Sequence, residues 1–523
     1  MATVTKTRLA KITRNRFIGK PHGQIQDRVR KVGPEHFGVI SVDCAKRRSK
    51  WMLCDFYGRV IIEPTIVEHN AGSLKAMTDL ARKTCQEQAL TDSIVAVEMT
   101  GIYHRPVQRA FRKAGFDTRT VHPFASKHYR RPLHPDCKTD DNDLEAIFHA
   151  AINGYGLATL PVDEDYQSLQ LLSRHRRNLV KQRARLQVQI RRFIHQTMPG
   201  YADLFDEDHF YSKSIAIHVA LKFPSPALIR KAASDGIAAA LKKSKIRFQP
   251  RTIDRIVAWA ATADEPAALA SLLTQQWQQL NSMRVTLSEQ IEEIEREMAH
   301  FLVRTPYVLL LSVTGINVVS AAGLAGEAGP IEHYATARAL NGRAGLYPSR
   351  YQSDEVDHAD GGLVRQCNRK LRAAAMLIAE NLIKCHPHYR GLSALWMTQR
   401  IDPRDRRCRI ANRAMRMVYQ LVGGRQLWHG KGVDREYLLH KLHEFHRVHG
   451  TPIMRSIADL QAAFQWLPKS AYEAESVPLV KLASKRTRGP QQIGDLMLPL
   501  LIRLGVRSAS EVESSSSEAR SSE

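Results

Sequence analysis

Cysteine is scarce and unpatterned in this chain. Its seven cysteines (Cys44, Cys54, Cys85, Cys137, Cys367, Cys385 and Cys408) include no CxxC pair and no short framework. That excludes a zinc ribbon and a disulfide-stapled secreted scaffold, and it suits a reducing cytosol. Long apolar runs are missing too. The longest, around Val308 to Val313, is far short of the roughly 18 residues a membrane span needs, so no membrane partner is expected. The N-terminal MATVTKTRLAKITRNRFIGK lacks the apolar core of a signal peptide and reads as a basic arm able to touch phosphates, with a mitochondrial presequence as the competing reading. Acid is the third deficit. Lys and Arg number 77 against 52 Asp and Glu, a formal charge of +25, which calls for a polyanionic partner. What remains, 43% hydrophobic and 25% charged, is the composition of a globular protein. At roughly 150 residues per domain, 523 residues suggest about three to four units.

From Gly38 to about Gly154 apolar runs of strand length alternate with helical periodicity. HFGVISVDC, KWMLCDF and VIIEPTIV read as strands, Leu74, Met77, Leu80 and Ala81 as a helix, and SIVAVEMT as a further strand. A helix over His104 to Ala114, a strand over Asp117 to Val121 and a helix through Leu144, Ile147 and Phe148 follow. That order predicts a mixed sheet covered by helices, as in the ribonuclease H fold. Beyond it, Leu169, Leu172, Leu179, Leu186, Ile190 and Phe193 fall on a heptad seam with Arg176 and Arg183 in the other core slots. A second seam runs through Leu273, Trp277, Leu280, Leu287, Ile291, Ile294, Met298 and Phe301, broken at Arg284. The two long helices are expected to pair, within one chain or between protomers. VLLLSVTGINVVSAAGLAGEAG reads as two short helices around a turn at Gly315, similar to a helix-hairpin-helix whose second N-terminus offers amides to a phosphate; an ordinary core helix pair is the alternative.

The expected domains are a basic arm (1–36), an α/β domain (37–155), a coiled-coil region (160–303) with a helical insertion at about 200–265, a mainly helical domain (304–437), a helical extension (438–507) and a disordered Ser/Glu-rich tail (508–523).

Asp43 ends the first strand and Glu98 a later one, while Asp140 and Asp143 lie three residues apart at the start of the final helix of the α/β domain. Four carboxylates gathered there need a counter-ion, and Mg2+, which takes oxygen ligands and keeps waters for a phosphate, fits. Asp141 and Glu145 are assigned ordinary surface roles, and Asp136 to the loop before the helix. In the second half, Ser353 is flanked by carboxylates and followed by Arg365, Arg369, Lys370 and Arg372, which suit a phosphate; Ser349 is its local rival, and spacing alone does not choose. Arg174, Arg177, Lys181 and Arg185, with Arg191 and Arg192, are candidate nucleic-acid contacts, a solvated charged face being the alternative. His440, His443, His446 and His449 repeat every three residues, which walks around a helix, so a basic edge along a phosphate backbone is favoured over zinc.

Together SVDCAK, AVEMTGIYHRP, KTDDND, VTGIN and GLYPSRYQS with its downstream NRKLR resemble the DEDD-type serine transposases of bacterial insertion sequences, over about Phe37 to Tyr437. The resemblance implies a RuvC-like domain at 37–155 whose acids are Asp43, Glu98, Asp140 and Asp143, and a catalytic Ser353 five residues after Pro348. It also implies Mg2+, DNA as substrate, a structured bridge RNA as guide, dimers or tetramers in which the serine of one protomer completes the acidic site of another, and a bacterial cytoplasmic location at the nucleoid. Two departures from the family pattern are Asp354 after the serine, where a glycine is usual, and Cys367-Asn368 in place of Gly before Asn or Asp. The expected activity is site-specific recombination through a phosphoserine link to DNA. Two alternatives stand beside it. A metal-dependent nuclease or junction resolvase would use water and keep cleaving as Ser353→Ala; a non-catalytic scaffold would be indifferent to both the acids and the serine.

Overall fold

The computed structural model describes residues 25–468, except 134–136, 159–162, 206–209, 212–213, 265–268, 354–355, 359–360 and 429–436, together with Ile502. The N-terminal arm up to residue 24, Asp136, the Ser/Glu-rich tail and most of the stretch after residue 468 lie outside the described residues. The chain divides into two units, Met1–Pro161 and Val162–Glu523.

The first unit is an α/β layer structure. A short helix, α1 (Gln26–Val32), leads into β1 (Phe37–Cys44), β2 (Arg48–Asp55) and β3 (Val60–Glu68). Next come α2 (Ala71–Glu87), β4 (Asp92–Glu98), α3 (His104–Lys113), β5 (Asp117–Val121), α4 (Pro123–Leu133), α5 (Asp140–Ala150) and the three-residue β6 (Gly156–Ala158). The sheet order is β3-β2-β1-β4-β5-β6. β1, β2 and β3 run antiparallel as a meander, β1, β4 and β5 run parallel, and β6 is antiparallel on β5. This is a ribonuclease H-like α/β arrangement. β1 reads as an unbroken apolar run because both its faces are covered. Phe37 and Val39 share one core with Ile94, Ala96 and the α5 residues Leu144, Ile147 and Phe148. Ile40, Val42 and Cys44 share the other with Val95, Val97 and residues of α2 and α3. At the opposite end of the strands the Arg28 guanidinium of α1 bonds Asp92 at 2.8 Å and Asp117 at 2.5 Å, tying the starts of β4 and β5 together. The strand and helix order expected from the sequence holds, with α1, α4 and β6 added. α4 went unread because it contributes little more than Ala125 and part of Tyr129 to the core, leaving almost no apolar period to see.

The described residues of the second unit are helical apart from one small hairpin and connecting turns. It contains α6 (Glu164–Thr197), α7 (Ser214–Lys222), α8 (Pro226–Lys243), α9 (Pro250–Thr262), α10 (Ala270–Leu302), α11 (Val318–Ala328) and α12 (Ala337–Ala344). The strands β7 (Tyr351–Ser353) and β8 (Val356–His358) precede α13 (Arg369–Cys385), α14 (Pro387–Thr398), α15 (Pro403–Gly423), α16 (Tyr437–Val448) and α17 (Ile453–Phe464). α6 and α10 pair within the chain and antiparallel. Arg176 meets Glu295 at 2.5 Å and Arg183 meets Ser288 at 3.4 Å, so a step of seven forward on one helix is seven back on the other. The two arginines in the core slots of the seam are thus answered by polar residues of α10. The insertion has its own core, with α7, α8 and α9 closing over Tyr201, Phe210 and Trp277. A larger core takes in α11, α13 and α15 and continues into α16 and α17 through Leu438, Leu439, Leu442 and Leu460.

Two expectations are corrected here. The segment before Gly315 is a 3-10 turn, Pro306–Ser312, rather than an α-helix, and Val308 to Leu311 are wholly buried. Gly315 has φ +94°, and a Cβ there would lie 3.0 Å from the Asn381 carbonyl. Asn317 and Ser320 close the start of α11 as a reciprocal capping box. Tight core packing explains this glycine, and the segment is an ordinary core turn and helix. Two of the four α16 histidines turn inward and break any continuous edge along the surface. His446 is buried against Asp459 at 3.4 Å, and His449 bonds Glu295 of α10 at 2.8 Å while stacking on Phe445. Burial of the apolar stripe of α16 carries them inward.

Candidate active site

Strand register sets Asp43 and Glu98 side by side. Val42 of β1 stands opposite Val97 of β4 in a parallel pair, so Asp43 and Glu98 occupy the next rung. Alternation puts both on the face shared with Val39, Ile94 and Ala96, the face that α5 covers. α5 begins there. Thr139 caps it, accepting the Asn142 amide at 3.2 Å, so Asp140 and Asp143 fall in its first turn, where a helix N-terminus favours negative charge. The Asp43 carboxyl is pushed up to about 6, first by burial and then by the charges of Glu98, Asp143 and Asp140, with Lys138 opposing. The other three acids therefore all act on Asp43.

Around them stand residues with no signature in the sequence. Ser126 of α4 donates to Glu98, and Arg130 of the same helix pairs with Asp143. Lys50, opposite Asp43 on β2, reaches Asp141 at 2.6 Å, and Glu145 faces His149 at 3.7 Å. As these side chains stand, no three His, Cys, Asp or Glu among the described residues converge closely enough to grip an ion. The donor set itself is all oxygen, mutually repelling and partly buried, which fits a hard divalent cation and not a thiolate or imidazole metal. Arg130, paired with Asp143, and Lys138, which acts on Asp43, supply part of the compensating charge.

Ser353 lies in the second unit. It is the last residue of β7, paired with Val356 of β8. The base of this hairpin is closed firmly. Pro348 bridges Leu363, and the Ser349 amide and hydroxyl both donate to the Gly362 carbonyl at 2.9 Å. A Cβ at Gly361 would meet the Ser349 hydroxyl oxygen at 2.5 Å, so a glycine is needed there. The Arg372 guanidinium donates to the carbonyls of Ala344 and Gly345 at 3.0 and 3.1 Å. Ser349 and Arg372 are thus engaged in holding the loop.

The basic residues divide in the same way. Arg174 forks onto Glu327 of α11 at 2.8 and 2.9 Å, and Glu327 also meets the side chain of Asn368, the cap of α13. Lys181, Arg185, Arg365, Arg369 and Lys370 are exposed, and Arg177 is half-buried. Lys370 has its pKa lowered by burial and by the charges of Arg174 and Arg177, which locates the three in one neighbourhood at the start of α13.

The chain thus joins a ribonuclease H-like unit carrying Asp43, Glu98, Asp140 and Asp143 to a helical unit carrying Ser353. Comparison with known proteins points to a transposase. A DEDD transposase model of the IS110 type matches residues 40–199, spanning all four acids, and a transposase model of the IS116/IS110/IS902 family matches residues 307–393, spanning Ser353. The transposase for insertion sequence element IS1328 of Yersinia enterocolitica is 24% identical over 333 residues, which cover 62% of this chain and 82% of that protein. The two family models and this relative support an IS110-family transposase, and the chain is a DNA transposase. Likeness to the DEDD transposases points to dependence on a divalent metal. No helix among the described residues is long and apolar enough to cross a membrane.

Proposed function

We propose that the protein is a serine recombinase of its insertion sequence, and that Asp43, Glu98, Asp140 and Asp143 hold Mg2+ while Ser353 attacks DNA. The observation that carries this reading is the shared rung of Asp43 and Glu98, with the charges of Asp140 and Asp143 also acting on Asp43. The bound ion would polarise the scissile phosphate and stabilise charge in the transition state. Ser353 Oγ forms a bond to phosphorus as one deoxyribose–phosphate ester bond breaks, so a phosphoester is exchanged for a phosphoester and rejoining needs no ATP. Ser353 is favoured over Ser349 by the family resemblance and by the use of the Ser349 hydroxyl in closing the loop. Arg365, Arg369 and Lys370, exposed around the start of α13, supply charge for the phosphate. Guidance by a structured bridge RNA and assembly as a dimer or tetramer, with serine and acids from different protomers, rest on the family resemblance and on the +25 charge.

The test is a covalent protein–DNA adduct assay in Mg2+. Ser353→Ala and Asp43→Asn should each bind DNA and form no adduct, and mixing the two should restore part of it. An adduct from Ser353→Ala alone, or one lost only in Ser349→Ala, would overturn the serine assignment and favour attack by water. Full cleavage by Asp43→Asn would overturn the acid assignment.

A further inference from the structure

We infer that the exposed face of α15 is a docking surface for the phosphate backbone of duplex DNA. From Arg406 to Val433 the sequence holds no acidic residue, while α14 has none at all. Along α15, Arg409, Arg413 and Arg416 fall on one exposed stripe at helical spacing. Two of them are held by an aromatic ring. Trp396 of α14 is 7% exposed, and the guanidinium carbons of Arg413 and Arg409 lie 4.7 and 5.8 Å from its ring centroid.

An arginine laid on an indole keeps its full charge and its outward N–H edge, and it loses much of the rotamer freedom that a phosphate contact would otherwise have to freeze. Elsewhere on the same helix, Arg407 is neutralised by Glu380 at 2.6 Å and Arg406 donates to the Ser393 carbonyl at 3.2 Å. The stripe differs because what it packs on is a ring and not a carboxylate. At 1.5 Å per residue its three guanidiniums span about 10 Å of helix, alongside a DNA duplex that carries one negative charge per about 1.7 Å of axis. A single strand would call for exposed aromatic faces on which bases stack, and here the ring is buried beneath arginines. The duplex backbone is therefore the occupant that fits, and DNA is this enzyme's substrate. The inference rests on the transposase assignment and not on the role of Ser353.

The experiment measures binding of the full-length protein to labelled duplex DNA of unrelated sequences across a salt series, with an RNA duplex and single-stranded DNA as comparison probes. The triple variant Arg409→Gln, Arg413→Gln, Arg416→Gln should lower the slope of log affinity against log salt by about 2 to 3, equally for every duplex sequence. Lys242→Gln, Lys243→Gln, Lys245→Gln, which removes the same charge from the exposed end of α8, should leave it nearly unchanged. An unchanged slope in the triple variant, an equal loss in the α8 control, or a loss confined to RNA or to single-stranded DNA would overturn the inference. If the triple variant melts early, Arg413→Gln alone should lower the slope by about 1, and an unchanged slope there would equally overturn it.

Discussion

At the scale of single residues, the fate of each basic side chain depends on whether a carboxylate lies under it. Arg174 and Arg177 look alike in the sequence, yet Arg174 is bound to Glu327, a side chain only 1% exposed on α11. Removing one partner of such a pair strands a buried charge. Arg174→Ala should therefore destabilise the protein by about 3 kcal/mol, the low end for a broken buried pair because the arginine itself is partly open. Arg177→Ala should change stability by less than about 0.5 kcal/mol. Urea unfolding of the two variants checks this, and equal small losses would show that Glu327 finds water or another donor. Ser349 and Ser353 divide similarly, since Ser349 spends its hydroxyl on the Gly362 carbonyl.

At the scale of elements, helices packed on helices bury groups that a solvated helix would leave to titrate. His386, at the junction of α13 and α14, is enclosed by Tyr389 and Trp428, and its Nδ1 has no hydrogen-bond partner among the described residues. Burial, with His388 and Lys441 nearby, pulls its pKa down to about 4. The folded chain thus resists a proton that the unfolded chain accepts near 6.5. Its contribution to stability is fully present above about 6.5 and is lost as pH falls towards 4, at most about 3 kcal/mol. His386→Phe should keep the ring packing and flatten that part of the acid-side loss. Urea midpoints at pH 7 and pH 4.5 would show it, and an identical drop in the variant would place the sensitivity elsewhere.

At the scale of the whole molecule, the charge of +25 is a statement about partners. Binding that releases counterions from phosphates weakens steeply with salt, and six to ten contacts cost about a thousandfold or more between 50 and 200 mM. Filter binding of duplex DNA at those two salt concentrations should show a loss of that order, and affinity indifferent to salt would remove the charge argument. The division into two units, with the acids in one and Ser353 in the other, gives the complementation of Asp43→Asn by Ser353→Ala its meaning.

Periodicity carried much of the fold. The strands of the first unit and the two long helices each bury an apolar stripe or face, and such stripes are written in local residue order. The four acids were legible for the same reason, since β1, β4 and α5 could each be read and a carboxylate located at the end of each. What the sequence hid lies where contact joins residues far apart in the chain and leaves no periodic mark. Ser126 and Arg130 sit on a helix with almost no apolar face, Lys50 meets Asp141 only through strand pairing, and Glu327 finds Arg174 across 153 residues. The histidines of α16 and Gly315 show the reverse case, in which a regular or motif-like pattern suggested a surface role. Which side of an element faces the core is settled by the energetics of packing the whole unit, and that decision belonged to the tertiary structure alone.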